Sequence, residues 1–311
     1  MKTRFFSILI FLVFLISCSG GTVVNPTKPN PNDAQIFKGI DGLAAEFAKG
    51  NPPQTTYAST DGKAEFAVSL NYENKGAADI KTGILNLLIE RDYVKFQQDS
   101  GTLKNFQLKG KTAENPVGEY KSETYYLEAQ LDENSVGKKT QISALFCYDY
   151  ETNAVFPVCI DTDILNRKLG QKACAVKDET SSGQGAPVVV TRVETRMMSK
   201  ENGVTPSFLI HISNKGSGMV LNPSYMNAAC SSEAKNKDMW NQLNVEATLG
   251  IDNILNCNPK ILHLRGNDDF VKCDSDKIIS SSESTYLGTL KVNLKYGYTF
   301  TQSKTVEIKR I

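Results

Sequence analysis

Ile142-Ser-Ala-Leu-Phe-Cys-Tyr-Asp-Tyr-Glu-Thr-Asn-Ala-Val-Phe-Pro-Val-Cys-Ile160 decides the fold class. Ile142, Ala144, Phe146, Tyr148 and Tyr150 alternate with smaller or polar residues, the period of two expected of a half-buried strand. Asn153 reads as a turn, with Phe156, Val158 and Ile160 as the returning arm of a hairpin. The same alternation recurs on either side of this stretch. Phe66, Val68, Leu70 and Tyr72 form one row, Leu85, Leu87 and Ile89 a second, and Tyr125, Leu127, Ala129 and Leu131 a third. Beyond it, Val188 to Met197 is β-rich, and Phe208, Ile210 and Ile212 alternate. Leu290, Val292, Leu294, Tyr296, Tyr298 and Phe300 follow, and Val306 with Ile308 reads as a short last strand closing a terminal hairpin. No stretch carries an apolar stripe at helical spacing over three turns. Ser232 to Gln242, with its serine cap and charged start, is the one short helix or loop expected. The chain is therefore all-β.

One internal correspondence suggests how the strands are grouped. Val68, Leu70 and Tyr72 lead into Asn74-Lys75-Gly76; Phe208, Ile210 and Ile212 lead into Asn214-Lys215-Gly216, 140 residues later. In each copy a buried-face strand leaves the core through a turn where Asn and Gly adopt positive φ at little cost. The expectation is two tandem β-sandwich domains, residues 36–180 and 181–311, meeting near Thr180-Ser-Ser-Gly-Gln-Gly185, which the resemblance that follows makes immunoglobulin-like. The rows ending in Asn-Lys-Gly resemble the immunoglobulin-like domains called CARDB and NEW3. Phe146-Cys147-Tyr148, Val158-Cys159-Ile160-Asp161, Gly183-Gln184-Gly185-Ala186-Pro187 and Tyr296-Gly297-Tyr298 resemble segments of uncharacterised archaeal cell-surface lipoproteins. That resemblance implies a fold and a location, and no activity.

The N-terminus supplies the location independently. Lys2 and Arg4 precede an apolar run from Phe5 to Ile16, too short for a comfortable membrane span, and small Ser17 stands before Cys18. This is the order of a secretory signal, residues 1–17, and Leu15-Ile16-Ser17-Cys18 resembles a lipobox. In the lipoprotein family the cysteine at that position carries a diacylglycerol and becomes the first residue. Two acyl chains anchor a protein stably where one does not. Residues 18–35 then form a lipidated, proline-rich linker, with Pro26, Pro29 and Pro31 holding it extended. The expected location is the extracytoplasmic face of a cell membrane.

Composition narrows the partners. The chain holds 35 basic and 34 acidic residues, and removing the signal with Lys2 and Arg4 leaves 33 against 34, a net charge of −1. Such a balance offers nucleic acid no electrostatic footing. Six cysteines remain besides Cys18: Cys147, Cys159, Cys174, Cys230, Cys257 and Cys273, an even count that reads as three disulfides in an exported protein. Cys147 and Cys159 sit symmetrically about Asn153, so the leading set is 147–159 and 257–273, with 174–230 fastening the two domains. A 159–174 clasp with other partners elsewhere is the rival.

No catalytic constellation emerges. With all thiols used in disulfides, His211 and His263 have no cysteine to activate, and both read as ordinary strand residues. Asp161, Asp163, Asn267 to Asp269, Asp274 and Asp276 are oxygen-rich, but turns use these residues too, and the spacing matches no calcium loop. No metal or cofactor is expected. Tyr120, Tyr125, Tyr126, Trp240, Tyr296 and Tyr298 are candidates for a sugar platform, with packing the ordinary account. The leading functional reading is a non-enzymatic binding, adhesion or spacer module for a cell-surface protein or glycan. The alternatives are an exported carbohydrate-binding or hydrolase accessory, and an envelope subunit that pairs through its terminal strand, Thr305 to Ile311.

Overall fold

A computed structural model describes residues 37–97, 102–231 and 237–311. The signal-like run, Cys18 and the proline-rich linker lie outside the described residues, as does Ser232–Asn236. The strands in chain order are β1 (Leu43–Phe47), β2 (Thr55–Ala58), β3 (Lys63–Asn74), β4 (Ile80–Leu88), β5 (Val94–Phe96), β6 (Leu103–Leu108) and β7 (Tyr120–Gln130). Then come β8 (Gly137–Ile160), β9 (Glu179–Thr180), β10 (Val188–Lys200), β11 (Gly203–Asn214), β12 (Met219–Leu221), β13 (Gln242–Leu249) and β14 (Asn253–Ile254). The last are β15 (Asn256–Asn258), β16 (Ile261–His263), β17 (Asp268–Asp274), β18 (Ile279–Ser280) and β19 (Tyr286–Arg310). Among the described residues there is one short α-helix, α1 (Met226–Cys230).

The alternation around Asn153 belongs to one strand, not to a hairpin. Every even-numbered residue of β8 from Thr140 to Ile160 is buried, without a break in parity. Asn153 lies mid-strand opposite Asn293, whose Nδ2 donates to its Oδ1 at 2.7 Å. The terminal hairpin is likewise absent, because the tyrosine row and Val306–Ile308 both lie on β19. β8 and β19 pair antiparallel along their whole lengths, from Tyr286 opposite Ile160 to Lys309 opposite Gly137.

This two-stranded ribbon is the spine of a large sheet ordered β14-β13-β19-β8-β4-β6, joined by β2, β12 and β16. Two smaller sheets stack on its inner face. The order β1-β3-β7-β5 covers the end holding the start of β8 and the end of β19; β15-β17-β11-β10-β9, with β18, covers the other end. Tyr72 of β3 lies 5.5 Å, centroid to centroid, from Phe146 of β8, and Phe208, Ile210 and Ile212 of β11 are wholly buried in the same continuous core. The architecture is thus all-β, with stacked antiparallel sheets whose two halves share β8 and β19.

The Asn-Lys-Gly correspondence marks real equivalence. Tyr148 and Tyr150 of β8, and Tyr296 and Tyr298 of β19, meet at the ribbon's midpoint, each nearly inaccessible. Asn74 Oδ1 accepts from the Tyr150 hydroxyl at 3.2 Å while its Nδ2 donates to the Ala78 carbonyl at 2.8 Å. Asn214 Oδ1 accepts from Tyr298 at 3.0 Å and its Nδ2 donates to the Gly218 carbonyl at 2.8 Å. The remaining two hydroxyls accept backbone amides, Leu43 to Tyr148 at 3.3 Å and Val188 to Tyr296 at 3.4 Å. Gly76 and Gly216 are required by closeness: a Cβ there would stand 1.9 Å and 2.3 Å from the Tyr150 and Tyr298 oxygens.

The disulfides correct the leading expectation. Cys147 and Cys159 are twelve positions apart on one strand, about 40 Å at roughly 3.3 Å per residue, and cannot meet. Cys147 instead joins Cys230, and Cys159 joins Cys174 as the clasp held in reserve. Cys257–Cys273 forms as expected, directly across the β15–β17 pair. Of the short helix or loop expected at Ser232 to Gln242, Ser232–Asn236 lie outside the described residues, and Lys237–Met239 form a 3-10 turn.

Tyr298→Phe orphans Asn214 Oδ1 and an amide of Gly218 that donates to the same hydroxyl at 2.9 Å. The expected loss is about 1–3 kcal/mol, the cost of unpaired buried groups. A urea midpoint measured against the exposed Tyr126→Phe checks it. An unchanged midpoint refutes the stitching role.

Candidate functional site

A cleft opens where the second half departs from the first. In the first half β4 runs along β8 as one strand, pairing Gly83–Leu88 with Tyr148–Ser143. In the second half the matching cover of β19 is split into β12 and β13 by residues 222–241, which carry α1 and Trp240. Cys147 points away from the main core, and its bond to Cys230 pins α1 on the outer face of β8. Asn86 Nδ2 donates to the Cys230 carbonyl at 2.7 Å, and Ile84, Leu221 and Met226 complete a small apolar cluster there. Trp240 bridges to Leu221, and Asn241 turns the chain back with φ 57°, a left-handed conformation that asparagine tolerates.

The insertion leaves a cavity of about 620 Å³ beside the end of β12, walled by Leu145, Met219, Ala229, Met239, Trp240 and Phe300. A second cavity, about 430 Å³, lies on the inner side, between Ile40–Ala45 and the tyrosine junction. Both are lined by Ser217, Phe300 and Gln302, so they flank the same stretch of β19. The outer chamber is mainly apolar; the inner one mixes Asp41, Lys215 and Gln302 with Tyr148 and Pro187. This suits gripping an extended, amphipathic object, with hydrophobic and polar neighbours at alternate positions.

Of the residues singled out in the sequence, Trp240 lines the outer chamber and Tyr298 the inner one, and the others fall elsewhere. His211 Nε2 lies 2.8 Å from Glu194 Oε1 and 3.0 Å from an Arg192 nitrogen, on a surface of β10 and β11. Its hydrogen bond, then that of Arg196, holds the Glu194 carboxyl below its usual range. His263 is exposed at the end of β16. Burial pushes the Asp161 carboxyl up, but Lys172 at 2.6 Å, the Asp163 amide and the Thr285 hydroxyl outweigh it and lower it overall. Asp163 accepts the amides of Arg167 and Lys168, Asp269 pairs with Arg265, and Asp274 with Lys272. Among the described residues no three acidic, cysteine or histidine side chains gather in a metal-binding group. Of the six candidates for a sugar platform, Tyr125, Tyr296 and Tyr298 are buried, Tyr120 and Tyr126 are exposed on β7, and Trp240 lines the outer chamber. Sequence reasoning named Trp240 but missed Leu145, an outward position of β8, Met219 of the three-residue β12, and Met239 of the 222–241 region, none of which stands in a periodic apolar row.

No family model matches the chain, and no curated protein is similar to it. Among solved structures, the chain is distantly similar to the Fcho1 Mu homology domain of Danio rerio with bound Eps15 peptide, at 9% identity over 88% of this chain and 96% of that one, TM-score 0.16. It is similar to the same degree to the C-terminal domain of the Streptococcus pyogenes antigen I/II-family protein AspA, at 8% identity over 87% and 100%, TM-score 0.16. These likenesses carry no argument about this chain.

Burial raises the phenols of Tyr148 and Tyr296 well above the ordinary value of 10.0 and pushes Tyr72 up to about 12. A phenol raised in the folded state stabilises it fully below the unfolded value, and that contribution is lost as pH climbs through the folded one. Stability is therefore expected to hold to about pH 10 and fall steeply above it. Tyrosinate absorbance from these residues should rise together with loss of the β circular-dichroism signal. Ionisation of these buried phenols with the sheet intact would contradict the tight junction.

Proposed function

We propose that the protein is a non-enzymatic, lipid-anchored binding module on the extracytoplasmic face of a membrane, its two halves acting as fused immunoglobulin-like sandwiches. The observation that carries the reading is the Trp240-lined cleft, fixed to the sheet by the Cys147–Cys230 disulfide. A bonded, well-packed wall presents an apolar chamber without having to order itself first, which lowers the entropic cost of binding. All six cysteines from Cys147 to Cys273 are bonded, which accords with an oxidising compartment. Cys18 and the proline-rich residues behind it supply the tether and the reach. Asp161, Asp163, Asp269 and Asp274 are engaged with nearby lysines, arginines or amides, which favours scaffolding over acid–base work for them.

The reading through a terminal strand moves to a different place. Glu307–Lys309 pair with β8 on one side, and Glu307–Arg310 in parallel with Thr55–Ala58 of β2 on the other. That edge is taken.

Cys18→Ala is expected to shift the protein from the detergent phase to the aqueous phase on Triton X-114 partitioning, with wild type retained in detergent. Mass spectrometry of the mature terminus should find a diacylated Cys18. An unacylated wild-type terminus released to the medium refutes the anchor.

A further inference from the structure

Along β19, the odd-numbered residues turn their backbone N–H and C=O groups away from β8. The Thr289 carbonyl accepts from Gly250, residues 291–295 face β13, and 297–299 face β12. Glu307 donates to the Gln54 carbonyl, and Ile311 to that of Ala58. Between these, Thr301, Ser303 and Thr305 have no backbone partner on that side among the described residues, and all three are exposed. The sheet thus has a gap one short strand long, bounded by β12 at one end and β2 at the other.

The equivalent stretch of β8, 148 residues earlier, is Asn153, Val155 and Pro157. Pro157 has no N–H to offer, and proline on an outward-facing edge position is a common guard against unwanted strand pairing. Thr305 stands at the matching place on β19 with its donor intact. One copy of the edge is blunted and the other is left open, and the open one is flanked by both cavities.

Deepening the binding-module reading and resting on it, we propose that residues 301–305 of β19 receive an extended segment of a partner protein, five to seven residues long, as an added strand of the large sheet. Three outward donors and three outward acceptors present the alternating partial charges that only an extended polypeptide matches over about 17 Å, at roughly 3.3 Å per residue. Side chains of the added strand alternate between faces. The one opposite Thr301 enters the chamber of Leu145, Met219 and Trp240 and is large and apolar; its neighbours enter the polar chamber with Gln302 and Lys215.

A random heptapeptide display library selected against the full chain tests this. Peptides sharing one large apolar position are expected. N-methylation of the selected peptide at alternate residues should weaken binding at least tenfold, while methylation at the intervening residues leaves it unchanged. Ser303→Pro, which removes an outward donor while leaving the bonds to β8, should weaken binding to a similar degree with the melting temperature retained. Trp240→Ala separates the two levels of the reading. Binding lost in Trp240→Ala but indifferent to Ser303→Pro and to N-methylation overturns strand addition and leaves the cleft as a binding site. Binding indifferent to all three overturns both. Displacement of every selected peptide by a synthetic Thr22–Ile36 peptide assigns the slot to this chain's own linker and overturns the partner.

Discussion

The antiparallel pairing of β8 with β19 is the constraint on which everything else hangs. Two strands of about two dozen residues, in register from Tyr286–Ile160 to Lys309–Gly137, form the central pair of one sheet and present one face to both smaller sheets. With residues of β8 buried on the inner face at every second position for twenty-one residues, a slip of one position would turn the whole apolar row outward. The register is therefore fixed by the sum of the core, and no local turn is needed to set it.

Where the two halves meet, the ribbon carries four tyrosines instead of aliphatic residues. Large rings fill the junction, with Tyr148 5.6 Å from Tyr150 and 5.8 Å from Tyr298, while each hydroxyl finds a partner at the end of a strand of a smaller sheet. Tyrosine is suited to this work because it buries a large apolar body and still satisfies a polar group at its tip. The asparagines that end β3 and β11 are the matching sockets. Their side-chain amides close the local turns as they accept the phenols, so local turn and long-range stitch are settled by one residue.

The β content, the rows of buried residues and the Asn-Lys-Gly equivalence were legible in the sequence, because parity is local and the motif repeats, although neither its asparagines nor its glycines take the positive φ expected of them. What was lost was continuity. Thr152 and Ala154 keep the even parity through Asn153 and are both buried, but their small side chains and the neighbouring Asn imitate a turn. Reading that asparagine as a bend produced the wrong cysteine pair, since the symmetry of Cys147 and Cys159 about it is only apparent. Cys147 occupies an odd, outward position, and its burial depends on α1 folding over it from eighty-three residues away. The cleft was invisible for the same reason: its walls come from β8, β19 and the 222–241 region, and a single window of sequence contains no two of them together.

The shared spine also sets the order in which the chain becomes a structure. Thr55–Ala58 pair with Glu307–Arg310, across more than two hundred residues, and the guanidinium of Arg310 reaches the carbonyls of Thr60, Asp132 and Ser135. The sheet β1-β3-β7-β5 consequently has its own strands early, but the large sheet it packs on stays unfinished until β19 has been made. Loops of that span close slowly, since their entropy must be surrendered before the contacts that reward it exist. A chain wired in this way cannot seal the inner face of β8 until its two ends have been brought together.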